Sequence, residues 1–181
     1  MYNLTLQLNA RLRPLDRGDI YEDPINAMLE EFCLGETTGG GTSVGGNNEV
    51  AYCDIEISIS ENTPYNLEKL ELICNNIGIP KGSFLRSADF KKPIGTLEGL
   101  VLYMNGTELA DEVYENYDIN VVIEKIDELL DSKGAMYSYN ENLNDTALYY
   151  YGDSYEEMKG SIQSFLDEYP LCQKSRVEQI A

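Results

Sequence analysis

Glu49-Val50-Ala51-Tyr52-Cys53-Asp54-Ile55-Glu56-Ile57-Ser58-Ile59, followed by Thr63-Pro64 and a run that ends at Ile77-Gly78, decides how this chain is read. From Cys53 to Ile59 every second residue is apolar, with Tyr52, Asp54, Glu56 and Ser58 between them. That is the period of a strand with one face buried. In the next segment a threonine and a proline open a helix whose face carries Leu67, Leu70, Ile73, Cys74 and Ile77, and a glycine closes it. The threonine can cap the first amides, the proline lacks a donor where none is needed, and glycine tolerates the left-handed exit.

The same alternation of periods extends outward. Leu4, Leu6, Leu8 and Leu12 predict a first strand, and Asp23-Pro24 opens a helix with Ile25, Met28, Leu29 and Phe32, closed by Gly35. Residues 36–42 make a poor second strand and residues 83–87 a short fourth one. Beyond them, residues 97–104, 135–139, 146–151 and 171–180 read as strands, with helices over 118–131 and 154–169. The second of these helices starts with Ser154 and Glu157 in a capping-box spacing and stops at Pro170. Residues 97–104 and 146–151 are apolar or aromatic on both faces, so both faces should be covered. The order is β-α-β-β-α-β, twice. It predicts an α+β chain of two tandem ferredoxin-like units packed together, residues 1–92 and 93–181, joined by the short segment 90–96. The alternative is a single mixed sheet with helices on one face.

Composition limits what such a chain can be. Its 181 residues are 43% hydrophobic, enough for a core, and no apolar run approaches the roughly 20 residues that span a bilayer. Residues 1–10 alternate polar and apolar side chains, unlike a signal peptide, so the expected location is cytoplasmic. Cys33, Cys53, Cys74 and Cys172 are widely spaced and the chain has no histidine, which points to reduced core thiols rather than a zinc site. In that compartment the Asn-x-Thr triplets at Asn3, Asn105 and Asn144 and the Arg17-Gly18-Asp19 triplet are chance matches. The net charge of −19 argues against nucleic acid, whose phosphates recruit clustered Lys and Arg, and against anionic membranes.

Catalytic and cofactor motifs are missing. Gly39-Gly40-Gly41-Thr42 with Gly45-Gly46 has neither the lysine nor the following helix of a phosphate loop, so it reads as a flexible hairpin loop. Without histidine the usual general base is absent. Residues 140–145 are rich in oxygen ligands but lack the EF-hand glycine and terminal glutamate. No catalytic residue, metal or cofactor is expected. Two residue groups remain. Arg11, Tyr52, Asp54 and Glu56 would share the open sheet face of the first unit and form a possible ligand face; Arg11, Arg13 and Arg17 would hold an anion or pair with nearby acids such as Glu56.

The second group lies in the second half, where 18 acids face five bases for a net charge of −13, against −6 for residues 1–92. Ten of the 14 tyrosines fall there too. Glu108, Asp111, Glu112, Glu115, Tyr114 and Tyr117 would form a partner-binding surface, acids steering a basic protein and tyrosines supplying contact area. The resulting expectation is a non-enzymatic protein-binding module, an acidic inhibitor or toxin-neutralising immunity protein for a basic partner, with no nucleic acid and no membrane. The alternatives are a small-ligand-binding protein or carboxylate-based enzyme using the first unit's open face, and a self-associating structural subunit that forms a homo-oligomer.

Overall fold

The computed structural model describes residues 1–46 and 48–181. The chain is α+β and divides into two compact units, Met1–Leu97 with Ala181, and Glu98–Ile180. Each unit has its own antiparallel sheet, and both have the ferredoxin-like strand order.

In the first unit, β1 (Tyr2–Leu8) pairs with β3 (Val50–Ile59) so that Leu4 lies opposite Ile57, Leu6 opposite Ile55 and Leu8 opposite Cys53. This register puts these six apolar residues on one face, and all six are at most 1% exposed. β2 (Gly35–Val44) flanks β3, while β4 (Ser83–Arg86) flanks β1, giving the order β2-β3-β1-β4-β5. The fifth strand, β5 (Lys91–Ile94), lies in the segment read as a connector; it pairs with β4, Ser83 opposite Ile94.

The helices follow their caps with one exception. α3 (Pro64–Ile77) begins where Thr63 Oγ1 accepts from Asn66 N at 3.2 Å, and it ends at Gly78, whose φ is +85°. Asp23-Pro24, by contrast, is no start. A short α1 (Pro14–Arg17) and a π-wound turn over Gly18–Glu22 run directly into α2 (Asp23–Glu31). Proline inside a helix loses a donor and its ring crowds the preceding turn. The wider winding in front of Pro24, where Asp23 N donates to Gly18 O, accommodates it.

The second unit repeats the topology. β6 (Glu98–Asn105) lies between β8 (Asp145–Gly152) and β9 (Arg176–Gln179), with β7 (Gly134–Glu141) beyond β8. α5 (Ile119–Leu130) is capped by Asp118 and α6 (Tyr155–Glu168) by Ser154, which accepts from Glu157 N at 3.3 Å. α4 (Asp111–Asn116) sits in the acidic stretch that gave no helical signal. The predicted strand 171–180 is shorter than read. Pro170–Cys172 forms a tight helical turn that puts Leu171 and Cys172 into the core, and pairing starts only at Arg176.

That core joins Leu100, Leu102 and Met104 of β6 to Val122, Ile126 and Leu130 of α5 and to Met158 and Ile162 of α6. Each such aliphatic side chain contributes about 1.5–3 kcal/mol when buried. The alternate residues are buried as well: Val101, Tyr149 and Tyr151 are at most 1% exposed. Among the described residues, no helix is long and apolar enough to cross a membrane.

Candidate functional site

The two regions singled out by sequence are built differently. On the first unit's sheet, the face away from the Leu/Ile core is laid out in cross-strand rows. Thr5 stands opposite Glu56 on one side and Arg86 on the other; Gln7 stands between Asp54 and Phe84. Asp54 accepts from Gln7 Nε2 at 3.2 Å and from Arg86 Nη2 at 3.1 Å. Lys91 Nζ lies 3.8 Å from the centre of the Phe84 ring, a close cation–π contact. Tyr52 projects from the same face and is 38% exposed.

Arg11 is not in these rows. It lies beyond β1, where its Nη1 pairs with the buried Glu49 at 3.0 Å rather than with Glu56. Arg13 holds Asp16 through two bonds, at 2.8 and 3.0 Å. Arg17 is 8% exposed; its Nε pairs with Glu22 and its Nη1 donates to Thr42 Oγ1 at 2.7 Å. The N-terminal arginines are thus committed to internal ion pairs.

Arg17 also explains one glycine of the run, Gly40. Residues 39–42 are not a loop but part of β2, with the turn later, where Gly45 N donates to Glu49 O. Gly40 faces the Arg17–Glu22 pair, and a Cβ there would lie 2.8 Å from Glu22 Oε1 and 2.6 Å from Asp54 O. The strand lacks side chains where a buried ion pair lies against it. Cys53, beneath Thr42, has its thiol pushed up by burial, an effect that Leu12, Thr42 and Arg17 partly offset. Burial raises Cys74 to about 12 and Cys172 to about 11, so both are protonated core thiols at neutral pH.

In the second unit, the six predicted contact residues separate. Asn105, at the end of β6, accepts from Thr107 N and Glu108 N through Oδ1, at 3.1 and 2.7 Å. Tyr114 turns inward to this loop: its hydroxyl lies 3.3 Å from Asn105 O and accepts from Leu109 N at 3.1 Å. Tyr117 packs edge-on to Tyr169, with ring centres 5.3 Å apart. Glu108 meets Lys174 at 3.5 Å, while Asp111 and Glu112 form the first turn of α4.

Tyr114, Glu115 and Tyr117 do meet, however, around a cleft of about 530 Å³. Met104, Ile119 and Leu171 supply its apolar part, and Asp118 adds a second carboxylate. No lysine or arginine is among the described residues that line it. At its side, the Tyr169 phenol is pushed up, first by desolvation and then by Cys172, Tyr117 and Asp118. Negative charge is therefore resisted here, and the carboxylates of Glu115 and Asp118 favour a positive one. Sequence reasoning placed Asp118 only at the start of the helix 118–131; the cleft adds a role that spacing along the chain does not show. Among the described residues, no three of Cys, Asp and Glu converge as a metal-ligand set.

No family model matches the chain, and no curated protein matches it. Among solved structures it is similar to the first two RRM domains of the yeast poly(U) binding protein Pub1, with 10% identity and a TM-score of 0.27 over 99% of each chain. Two expectations are corrected. The chain was read as a protein-binding module of the inhibitor or immunity type, with nucleic acid excluded as a partner; the structural neighbour is a poly(U) binding protein, which stands against both statements. Of the two tyrosines in that reading, Tyr114 is tied to Asn105, while Tyr117 is 37% exposed. A TM-score of 0.27 assigns no site, and poly(U) binding is not carried from that protein to this chain.

Proposed function

We propose that this chain is a small-molecule binding protein whose second unit takes an organic cation, an ammonium or guanidinium group on a short apolar body. The observation that carries this reading is the composition of the 530 Å³ cleft: Glu115 and Asp118 beside the rings of Tyr114 and Tyr117, over Met104, Ile119 and Leu171. Carboxylates bind a cation by charge-assisted hydrogen bonds worth about 1.5–3 kcal/mol each. Tyrosine faces add a cation–π attraction of about 0.5–1 kcal/mol at a partly exposed site. The apolar floor then receives the ligand's carbon chain. A cleft of this size suits a drug-sized molecule, and the net charge of −19 raises the local concentration of cations. A reducing, cytoplasmic setting is consistent with four free cysteines.

Calorimetric titration with agmatine and cadaverine, each compared with a neutral diol of matched length, tests the reading. The cations should bind saturably and the diol should not. Glu115→Gln and Asp118→Asn should each weaken binding by about tenfold, or roughly 1.4 kcal/mol; asparagine at position 118 retains the helix cap. Glu124→Gln, on α5 outside the cleft, should leave affinity unchanged. Equal losses at position 124 would reduce the effect to overall charge and defeat the proposal.

A further inference from the structure

Across the first unit's open sheet face, one row carries three side chains of unequal length: Glu56 on β3, Thr5 on β1 and Arg86 on β4. Neighbouring strands are about 4.8 Å apart, so the outer two residues rise roughly 10 Å from each other with only a threonine between them. The result is a shallow cleft of about 320 Å³, lined by Glu56, Thr5, Arg86, Asn3 and Ser87. It is separate from the cation cleft, being formed by residues of the first unit alone.

The polar groups in this cleft are unequally satisfied. Arg86 does not cross to Glu56; it reaches into the neighbouring row, where Nη2 meets Asp54 at 3.1 Å. Its Nε is buried and has no hydrogen-bond partner among the described residues. Ser87 Oγ is already engaged by the Tyr2 hydroxyl at 2.6 Å. Glu56 has no ion pair among the described residues and is exposed. A buried donor without an acceptor is costly, a penalty that a ligand acceptor would relieve. The cleft is thus lined by one guanidinium and one carboxylate acceptor, on either side of a small side chain. Because Asp54 balances the charge of Arg86, Glu56 leaves the site net negative, which disfavours a phosphate.

We infer that this row binds a neutral planar heterocycle with a lactam–amidine edge, the edge shared by guanine nucleosides and pterins. Such an edge presents an adjacent ring N–H and amino group, which a carboxylate accepts as a pair, and a carbonyl oxygen, which a guanidinium donor can reach. Arginine to a guanine carbonyl and glutamate to a base amino group are established pairings of this chemistry. Adenosine, with donor and acceptor exchanged at that edge, is rejected because it sets an unpaired acceptor against Glu56. The inference stands on the Glu56–Thr5–Arg86 register and the orphaned Nε, and it does not depend on the cation cleft.

Titration of the full chain, followed by two-dimensional NMR, provides the test. Guanosine, a simple pterin, inosine, adenosine and a short single-stranded G-containing oligonucleotide serve as probes. Guanosine or the pterin should give saturable shifts at β1, β3 and β4 below about 1 mM, and whichever binds more tightly identifies the source. Inosine, which lacks the amino group, should bind about tenfold more weakly than guanosine to the native protein. In Glu56→Gln, an exposed substitution that leaves the core untouched, that preference should vanish while the spectrum stays folded. No saturable shift with either probe overturns the proposal. So does an oligonucleotide that binds more tightly than guanosine, since phosphate would then be the recognised group.

Discussion

β3 and β8 hold the same place in their units, third strand in sequence and flanked on both sides, yet they present opposite second faces. On β3, Tyr52, Asp54 and Glu56 alternate with the core and stay in contact with solvent. On β8, Tyr149 and Tyr151 alternate with the core and are as buried as the core itself. Shared topology therefore does not imply a shared binding face. In the first unit the sheet can offer side chains to a ligand; in the second the sheet is spent on packing, and the cleft moves to the end of β6, where α4 ends and α5 begins.

The sharpest way to break this comparison is to truncate one tyrosine from each strand. Tyr149→Ala should cost about 3–5 kcal/mol, the range for deleting a fully buried aromatic ring, whereas Tyr52→Ala should stay within about 0.5 kcal/mol, as surface substitutions do. Urea unfolding followed by fluorescence and circular dichroism measures both. Similar costs would mean that the face of β3 is a packing surface too, and the case for a ligand there would lose its footing.

A smaller effect separates two neighbouring glycines. Gly40→Ala places a methyl 2.6 Å from Asp54 O and 3.2 Å from Arg17 Nε, while Gly41→Ala meets nothing within 4 Å. The first should cost about 1–3 kcal/mol, as overpacking does. The second should be neutral, or slightly stabilising through the less flexible unfolded chain. Equal tolerance at both positions would show that β2 can lift away from Arg17, and the glycine run would again read as a loop.

These glycines mark where the sequence stopped being legible. Period and caps located the strands and helices because burial on one face and satisfaction of end amides are local in sequence. The two-sided burial of β6 and β8 was readable for the same reason: Leu100 to Met104 and Ala147 to Tyr151 leave no polar alternate. β2 was obscured because its glycines read as a loop, and the need for a glycine at position 40 comes from an ion pair made by residues 17 and 22, far from it in sequence. α4 was hidden by its length, with Ala110 giving no side-chain cap. Neither cleft was visible, since each is assembled from distant residues: Thr5 meets Glu56 and Arg86 only through strand pairing, and Glu115 and Asp118 share a cleft with Met104 and Leu171 only in the folded unit. Arg86 was overlooked among five arginines because three others cluster near the N-terminus and drew the reading toward themselves.

The smallest predicted effect concerns two buried phenols, one per unit, whose removal should have opposite signs. Tyr21, fully buried in the first unit, donates to Gly78 O at 3.2 Å. Tyr21→Phe strands that carbonyl at the end of α3 and should cost about 1 kcal/mol. Tyr150, fully buried in the second unit, has a hydroxyl with no hydrogen-bond partner among the described residues. Burial pushes its phenol up, and the nearby Asp127 and Cys172 push it further, so the group stays neutral and its desolvation is uncompensated. Tyr150→Phe should therefore leave stability unchanged or raise it by up to about 1 kcal/mol, read as a shift in the urea midpoint at constant slope. A loss as large as that of Tyr21→Phe would require a bound water at Tyr150. The second unit's core would then be built on a satisfied polar contact, as the first unit's is at Tyr21, and not on tight apolar packing alone.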